Sequence, residues 1–562
     1  MHLDPTGTGA LERVASALLR AVDAAAPGSV REIEFEAPRN AQFGDFASNV
    51  AFALAKPLRR KPQEIAQDLA AALAADPEAG ALLEAATATA GFINIRMVPR
   101  YWQTVVARVL REGADFGRGD PLGERVSLEF GSANPTGPLV VVQGRSLSIG
   151  ATLANALRFV GYDVTTEWII NDAGAQLDRL GRSLYARYRQ TWEPEFPFPE
   201  DGYPADYLLP IAQALRETDG ERWRDAPEAE WLPYFNRFGR DRIVAGQRAT
   251  AHRFGVEYDN WQSEKALHDA GAIEAGIARL RALDLTYEKD GALWVRTASH
   301  GDENDRVVIR SDGRPTYYAN DVAYHYQKFQ NGADRVIDIL GPDHHGYIGR
   351  LNALAVAYGH PDGIEVLIAQ QITLKRGDEL ASMSKRSGQI VTLDEIIDEV
   401  GVDAARFFFI LPSAESPLTF DLALAKEQSE ANPVYYVQYG HARIASIERN
   451  ATEEQLARAR RGEALERLVE PAELALARRL GEFPTLVRSV ARGRAPHRLA
   501  RYARDVATDF HQFYMACRVL VDDEELRVAR LALAYATKVV LGTTLGLAGV
   551  SAPEAMERVS PS

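Results

Sequence analysis

The chain has 562 residues, of which 46% are hydrophobic and 25% charged, the proportions of a soluble globular protein of about three to four domains. Its 64 Lys and Arg against 78 Asp and Glu leave a formal charge of −14, which excludes a generally basic nucleic-acid coat and says nothing of local patches. The single cysteine, Cys517, excludes an intramolecular disulfide framework and a cysteine-based zinc or iron–sulfur site.

The segment to about 115 is Ala-rich, with apolar residues at helical spacing over 11–22 and 65–73. It closes on the strand-like Gly91-Phe92-Ile93-Asn94-Ile95 and reads as an N-terminal α+β unit over 1–115. Residues 113–123 read as a linker. Between 116 and 420, strand candidates at 126–130, 164–170, 307–310, 335–340 and 364–368 alternate with helical runs. That is the pattern of an α/β fold with a parallel sheet. The stretch at about 190–235 is acidic and rich in Pro and aromatic residues, and reads as an insertion at the sheet's edge. From 421 to 562 only amphipathic helical patterns appear, as in an all-α bundle. The N-terminus lacks the basic-then-apolar run of a signal peptide, and the most apolar stretch, near 532–550, is interrupted by Lys538, Thr543 and Thr544. A cytoplasmic protein without a membrane span is expected.

The first site candidate lies at 126–160. A strand runs into Gly131-Ser132-Ala133-Asn134-Pro135-Thr136-Gly137-Pro138-Leu139, and a helix follows. A strand, a Gly/Pro loop and a helix N-terminus present backbone N–H groups to a phosphate. By itself the pattern is equally that of an ordinary strand–helix connection. The second candidate spans 310–390. Tyr317 and Asp321 stand at i and i+4, on one face of a helix, and a phenol beside a carboxylate suits a guanidinium. A lone pair of this kind is more often a surface contact. Ile339-Leu340-Gly341-Pro342-Asp343-His344-His345-Gly346 follows a buried-looking strand, and its Asp-His-His also reads as a metal or phosphoesterase box. Ser382-Met383-Ser384-Lys385-Arg386-Ser387-Gly388 is a basic loop whose Lys385 can neutralise phosphate charge.

Residues 129–139 resemble the first signature region of arginyl-tRNA synthetases, class I aminoacyl-tRNA synthetases with a Rossmann-type catalytic domain. Trp168-Ile169-Ile170-Asn171-Asp172-Ala173-Gly174-Ala175-Gln176 looks like its continuation. Residues 314–325 resemble the family's amino-acid pocket. Residues 382–388 resemble the class I Lys-Met-Ser-Lys-Ser loop, with Ser382 for the first lysine, and the match runs on to 406. Segments 43–51 and 91–95 are similar to the family's N-terminal domain, which contacts the tRNA elbow. Segments 421–443, 513–520 and 547–554 are similar to its anticodon-binding domain. The resemblance implies an elbow-binding domain at 1–115, a Rossmann-type catalytic domain at 116–420 and an α-helical anticodon-binding domain at 421–562.

It also implies an arginine–tRNA ligase, expected to be a monomer, that uses ATP with Mg²⁺ to form arginyl-adenylate and passes arginine to the 3′ end of arginine tRNA. The family usually needs tRNA bound before it activates arginine. On this resemblance Glu129, Asn134, Tyr317 and Asp321 hold arginine. Pro138, Val140, Val142, Gln143, Gly341, Asp343, His344, Met383, Ser384 and Lys385 meet ATP, with Lys385 and Gln143 acting in catalysis. No protein metal ligands are implied.

One segment departs from the family. The signature His-x-Gly-His should follow Pro-Leu, and Val140-Val141-Val142-Gln143 stands there. Val142 adds a side chain where the adenine would approach backbone, Val140 offers no hydrogen bond, and Gln143 keeps only an uncharged donor. Losing one transition-state donor costs about 10²–10³ in rate, so a weaker or rearranged site is expected. A non-catalytic tRNA-binding or regulatory paralogue and a tRNA-independent amino-acid adenylating enzyme are the alternatives.

Residues 421–562 carry 20 Lys and Arg against 19 Asp and Glu, and 478–504 hold eight arginines and one acid, Glu482. That density reads as a phosphate-facing stripe, although helix surfaces carry arginine for other reasons. Tyr435, Tyr436 and Tyr439 could stack on an unpaired base; for most of them packing against neighbouring helices is the expectation.

Overall fold

The computed structural model describes residues 4, 6–36, 38, 40–203, 206–377, 379–381 and 391–556. The N-terminal elements are α1 (Ala10–Ala25), β1 (Phe46–Ser48), α2 (Val50–Leu58), α3 (Pro62–Ala75), β2 (Leu83–Thr89) and β3 (Phe92–Met97). The strands form an antiparallel sheet in the order β1-β3-β2. α1 buries Leu11, Val14, Leu18 and Val22, and α3 buries Ile65, Leu69 and Leu73, the stripes that helical spacing dictates. α4 (Pro99–Glu112) leads out of this unit. The following stretch is no loose linker: buried Phe116 stacks on Phe483 with ring centroids 6.2 Å apart, and Arg118 lies over the Phe159 ring.

The second region opens with β4 (Arg125–Phe130), α5 (Val141–Phe159), β5 (Asp163–Ile170), α6 (Ala175–Gln190), α7 (Leu208–Asp219) and α8 (Glu228–Arg253). It continues through β6 (Asn260–Ser263), α9 (Glu264–Asp269), α10 (Ala272–Ala282), β7 (Thr286–Lys289), β8 (Ala292–Val295) and β9 (Arg306–Ile309). α11 (Tyr317–Gln330), β10 (Arg335–Leu340), α12 (Ile348–Ala357) and β11 (Ile364–Ile368) complete a five-stranded parallel sheet in the order β11-β10-β4-β5-β6. α5 lies close on β4: a Cβ at Gly150 would meet the Phe130 ring at 2.0 Å, so only glycine permits this approach.

Two strand assignments differ from the sequence reading. The run at 307–310 pairs with β8 in an antiparallel β7-β8-β9 sheet, outside the parallel one. β6 supplies the fifth parallel strand from the polar run Asn260-Trp261-Gln262-Ser263. The acidic stretch at 190–235 contributes α7 and the start of α8, which close over an aromatic cluster of Tyr185, Tyr188, Trp223, Trp231 and Phe235.

β12 (Ile372–Arg376), β13 (Glu379–Ala381), α13 (Leu393–Val400), α14 (Val402–Ile410) and β14 (Leu418–Asp421) follow, the strands in the order β13-β12-β14. The chain then becomes wholly helical in α15 (Leu422–Lys426), α16 (Pro433–Arg449), α17 (Glu453–Arg460), α18 (Pro471–Gly481), α19 (Phe483–Gly493), α20 (His497–Ala516) and α21 (Glu524–Ala548). Among the described residues α21 alone is long and apolar enough to cross a membrane, but 67% of its most apolar window is buried in the bundle.

The arginine-rich stretch is only partly a surface stripe. Arg478 pairs with Asp45 of the N-terminal unit, Arg479 with Glu482 and Asp509, and Arg494 with Glu365 on β11. These are bolts between elements. Tyr435 and Tyr439 stack on each other, and Tyr436 packs edge-on to His511.

Candidate active site

A cavity of about 860 Å³ opens at the carboxyl ends of β4, β5 and β10, where a parallel sheet presents its ligands. Its wall includes Glu129, Asn134, Val142, Gln143, Tyr317, Asp321, Gly341, Asp343 and His344. The fold thus gathers residues from both sequence candidates, which are about 200 positions apart. Pro138 and Val140 do not line the cavity. Met383, Ser384 and Lys385 lie outside the described residues.

The loop between β4 and α5 is held from several sides. Gln247 of α8 is buried and donates from Nε2 to the Asn134 and Gly137 carbonyls at 3.0 and 2.9 Å. Tyr207 donates to the Thr136 carbonyl. Asn171 donates to Asn134 Oδ1 at 3.2 Å. Backbone bonds Leu393 N–H to Leu139 O (2.8 Å) and Val141 N–H to Val391 O (3.3 Å) join the start of α5 to the chain entering α13. α8 braces that segment too, through Thr250 and Arg253 to Asp394. Gln143 turns its Oε1 back to accept from the Val140 N–H at 3.1 Å, capping its own helix. Val142 is 38% exposed on the cavity side.

Tyr317 opens α11, is 79% exposed, and stands on the cavity rim one turn before Asp321. Asp321 is half-buried, and its buried Oδ2 has no hydrogen-bond partner. Burial pushes the Asp321 carboxyl up to about 6, against the pull of His325 and Arg350. A buried carboxylate oxygen without a partner is costly unless a donor reaches it. At the other end, Gly341 leaves open space, with His344 Nδ1 4.0 Å from where its Cβ would be. His344 Nδ1 is itself buried and unpartnered, and its ring packs edge-on to Tyr347.

Beneath the cavity lies a charged cluster of which the sequence reading singled out only Glu129. Asp338, Glu129 and Glu167 are register neighbours on three adjacent strands. Lys328 Nζ donates to Glu129 Oε2 at 2.9 Å and to Asp338 Oδ1 at 2.8 Å. His325 joins Asp338 Oδ2 at 2.8 Å, and Tyr324 donates to Glu167 Oε2 at 3.0 Å. Burial works against charge on Asp338 and Lys328, but their contact outweighs it, so Asp338 lies below the ordinary carboxylate range and Lys328 above the ordinary amine range. The available signal was a lone acid inside each of two strands, the otherwise apolar Val336-Ile337-Asp338-Ile339-Leu340 and the β-branched and aromatic Val164-Thr165-Thr166-Glu167-Trp168-Ile169-Ile170. Among the described residues no group of three or more His, Cys, Asp or Glu side chains is arranged to hold a metal ion.

With this geometry in hand, three family models match the chain. They are the arginyl tRNA synthetase N terminal domain over 11–97, the tRNA synthetases class I (R) catalytic domain over 249–408, and the DALR anticodon binding domain over 437–556. A curated arginine–tRNA ligase of Syntrophotalea carbinolica is 46% identical over 533 residues, covering 94% of this chain and 96% of its own. That of Moorella thermoacetica is 44% identical over 545 residues, covering 96% and 97%. Among solved structures, a putative arginyl-tRNA synthetase of Campylobacter jejuni superposes with a TM-score of 0.75 at 28% identity, over 82% of this chain and all of that one. The Thermus thermophilus arginyl-tRNA synthetase gives 0.76 at 24% identity, over 97% of this chain and all of that one, a likeness of fold.

Proposed function

The chain belongs to the arginyl-tRNA synthetase family, and from that premise we propose that it ligates arginine to arginine tRNA in two steps at the cavity described. An arginine carboxylate oxygen attacks the α-phosphorus of ATP, the bond to the pyrophosphate oxygen breaks, and arginyl-adenylate and pyrophosphate form. A hydroxyl of the tRNA's terminal ribose then attacks the arginyl carbonyl carbon and releases AMP. No side-chain nucleophile is required; catalysis is positioning and charge stabilisation.

The observation that carries this reading is the unpartnered, buried Oδ2 of Asp321, a residue that lines the cavity with Tyr317. A guanidinium supplies the planar, charge-assisted donors such a site lacks. Asn134 and Glu129 take the amino-acid end, Gly341, Asp343 and His344 the nucleoside, and the start of α5 with Val142 and Gln143 the phosphates. Lys385, with Met383 and Ser384, adds charge neutralisation as pyrophosphate leaves. Mg²⁺ is assigned to the triphosphate it accompanies. Residues 1–115 are assigned to the tRNA elbow and 421–562 to the anticodon, in a cytoplasmic monomer.

Arginine- and tRNA-dependent ATP–pyrophosphate exchange, followed by charging of arginine tRNA, tests the proposal; wild-type protein with no exchange above background would sink it. Gln247→Leu frees the Asn134 and Gly137 carbonyls and loosens the loop. Because misplacement by about 1 Å costs up to roughly 10² in rate, this variant is expected to lower kcat for exchange by about tenfold or more. Its tRNA affinity, read by filter binding, should stay at the wild-type value.

A further inference from the structure

Resting on the reading of the cavity as the arginine site, we propose that Lys328 is a positioning residue for arginine. By holding Glu129 and Asp338 as one ion-paired set beneath the cavity, it leaves one Glu129 oxygen and one Asp321 oxygen as the carboxylate acceptors the substrate meets.

Four acids converge on this floor from different elements: Glu129 on β4, Glu167 on β5, Asp338 on β10 and Asp321 on α11. Glu264 of α9 adds a fifth acid to the cavity wall, accepting from Asn320. Four acids gathered here with no cation, three of them buried, would not all stay ionised; some would share protons. α11 carries the compensation at helical spacing. Asp321, Tyr324, His325 and Lys328 are successive residues of one face, so the helix that brings the substrate's acceptor also brings the counter-charges for the row below it.

Each partner of Lys328 uses up a particular atom. Glu129 gives Oε2 to Lys328 and is left with Oε1, which accepts from Ser132 Oγ at 3.1 Å. Asp338 gives Oδ1 to Lys328 and Oδ2 to His325, so both its oxygens are spent. The Lys328 ammonium also lies 4.2 Å from the centre of the Tyr324 ring, and Tyr324 ties Glu167. Among the described acids of this site, Asp321 is the one with a buried oxygen, Oδ2, left without a partner. Lys328 is 1% exposed at its side chain and does not line the cavity, so its effect on arginine runs through the acids it holds.

The groups facing Asp321 are His325 and the Lys328-held Asp338 and Glu129, Arg350 of α12, and the Tyr318 phenol of its own helix. Removing the lysine charge leaves Glu129 and Asp338 short of a cation, and their added repulsion makes Asp321 harder to ionise.

The test compares Lys328→Met and Lys328→Arg with wild type by arginine KM, ATP KM and kcat in pyrophosphate exchange across pH 5.5–9, with calorimetric arginine binding and thermal melting in parallel. Lys328→Met should raise arginine KM at least tenfold, change ATP KM less than about threefold, and move the acid-side midpoint of the arginine KM profile up by about one pH unit. Lys328→Arg keeps the charge but not the reach, so it should keep the midpoint and raise arginine KM a few-fold. A folded Lys328→Met with the wild-type arginine KM and midpoint overturns the proposal. If that variant does not fold, Lys328→Arg decides: a wild-type arginine KM, or arginine and ATP KM rising together, overturns it. Absence of exchange in wild type counts against the functional reading instead, and calorimetry then still reports whether Lys328 governs arginine binding.

Discussion

Asp321→Asn is expected to lower kcat/KM for arginine in pyrophosphate exchange by about 10²–10⁴, the range for removing one partner of a desolvated charge pair. The wild-type pH dependence follows from the same carboxyl. Burial raises its pKa from the ordinary 3.8 to about 6, so it is ionised at neutral pH and protonated in mild acid. Arginine needs the ionised form; its affinity should be flat above about pH 7 and fall roughly tenfold per unit well below pH 6. The sign for stability is opposite. A buried acid with a raised pKa disfavours the folded state once ionised, an unfavourable contribution that grows as pH rises through the window from 3.8 to about 6 and is fully present above it. Asp321→Asn should therefore melt no lower than wild type without arginine at pH 7.5, and lose the upward shift that arginine gives wild type. Calorimetric titration and melting curves check both halves, and an arginine affinity within threefold of wild type would rule out Asp321 as the guanidinium acceptor.

Val140→His/Val142→Gly/Gln143→His should raise kcat for exchange by about 10²-fold, since each restored transition-state donor is worth about 10²–10³. Val142 projects on the cavity side of α5, and the Gln143 amide is partly spent capping Val140. The segment is therefore poor both in space and in donors. Val142→Gly alone should lower ATP KM and leave arginine KM where it is, because Asp321, Tyr317 and Asn134 are untouched. Losing the Gln143 cap should cost about 1 kcal/mol in helix stability, visible in melting and small beside the kinetic gain. A rate unchanged in the triple variant would mean the site works by other contacts around these valines.

Sequence patterns carried information where the structure is local. The runs at 126–130, 164–170, 335–340 and 364–368 became parallel strands, and the central pair, β4 and β10, is buried along nearly its whole length. Tyr317 and Asp321 share a helix face because their spacing admits nothing else in a helix. The run at 307–310 was misplaced although a cue was present. Asp290 and Gly291 both take positive φ, 53° and 72°, in the Asp-Gly turn that closes a hairpin, which draws β9 into a meander. The charges were least legible. Arg478, Arg494 and Lys328 look like solvated cations until Asp45, Glu365 and Glu129 arrive from distant parts of the chain, and no local rule names those partners. Gln247 has no motif at all; only the fold brings it beneath the Asn134 loop.

The order β11-β10-β4-β5-β6 also sets a timetable. β4 gains β5 soon after it is made, but its other edge waits for β10, and Lys328 and Glu129 are 199 residues apart. At about 5–20 residues per second of synthesis, the apolar edge of β4 stays unpaired for roughly 10–40 s before its neighbour emerges. During that interval the nascent chain has a hydrophobic strand edge open to other chains. Glu129, which the finished protein pairs with Lys328 of α11, is then an unpaired charge on that strand, and charge is what discourages edge-to-edge association. The floor of the cavity thus guards its own assembly: Glu129 gains its Lys328 partner, and the row of acids its final contacts, only once the strand that completes the sheet is in place.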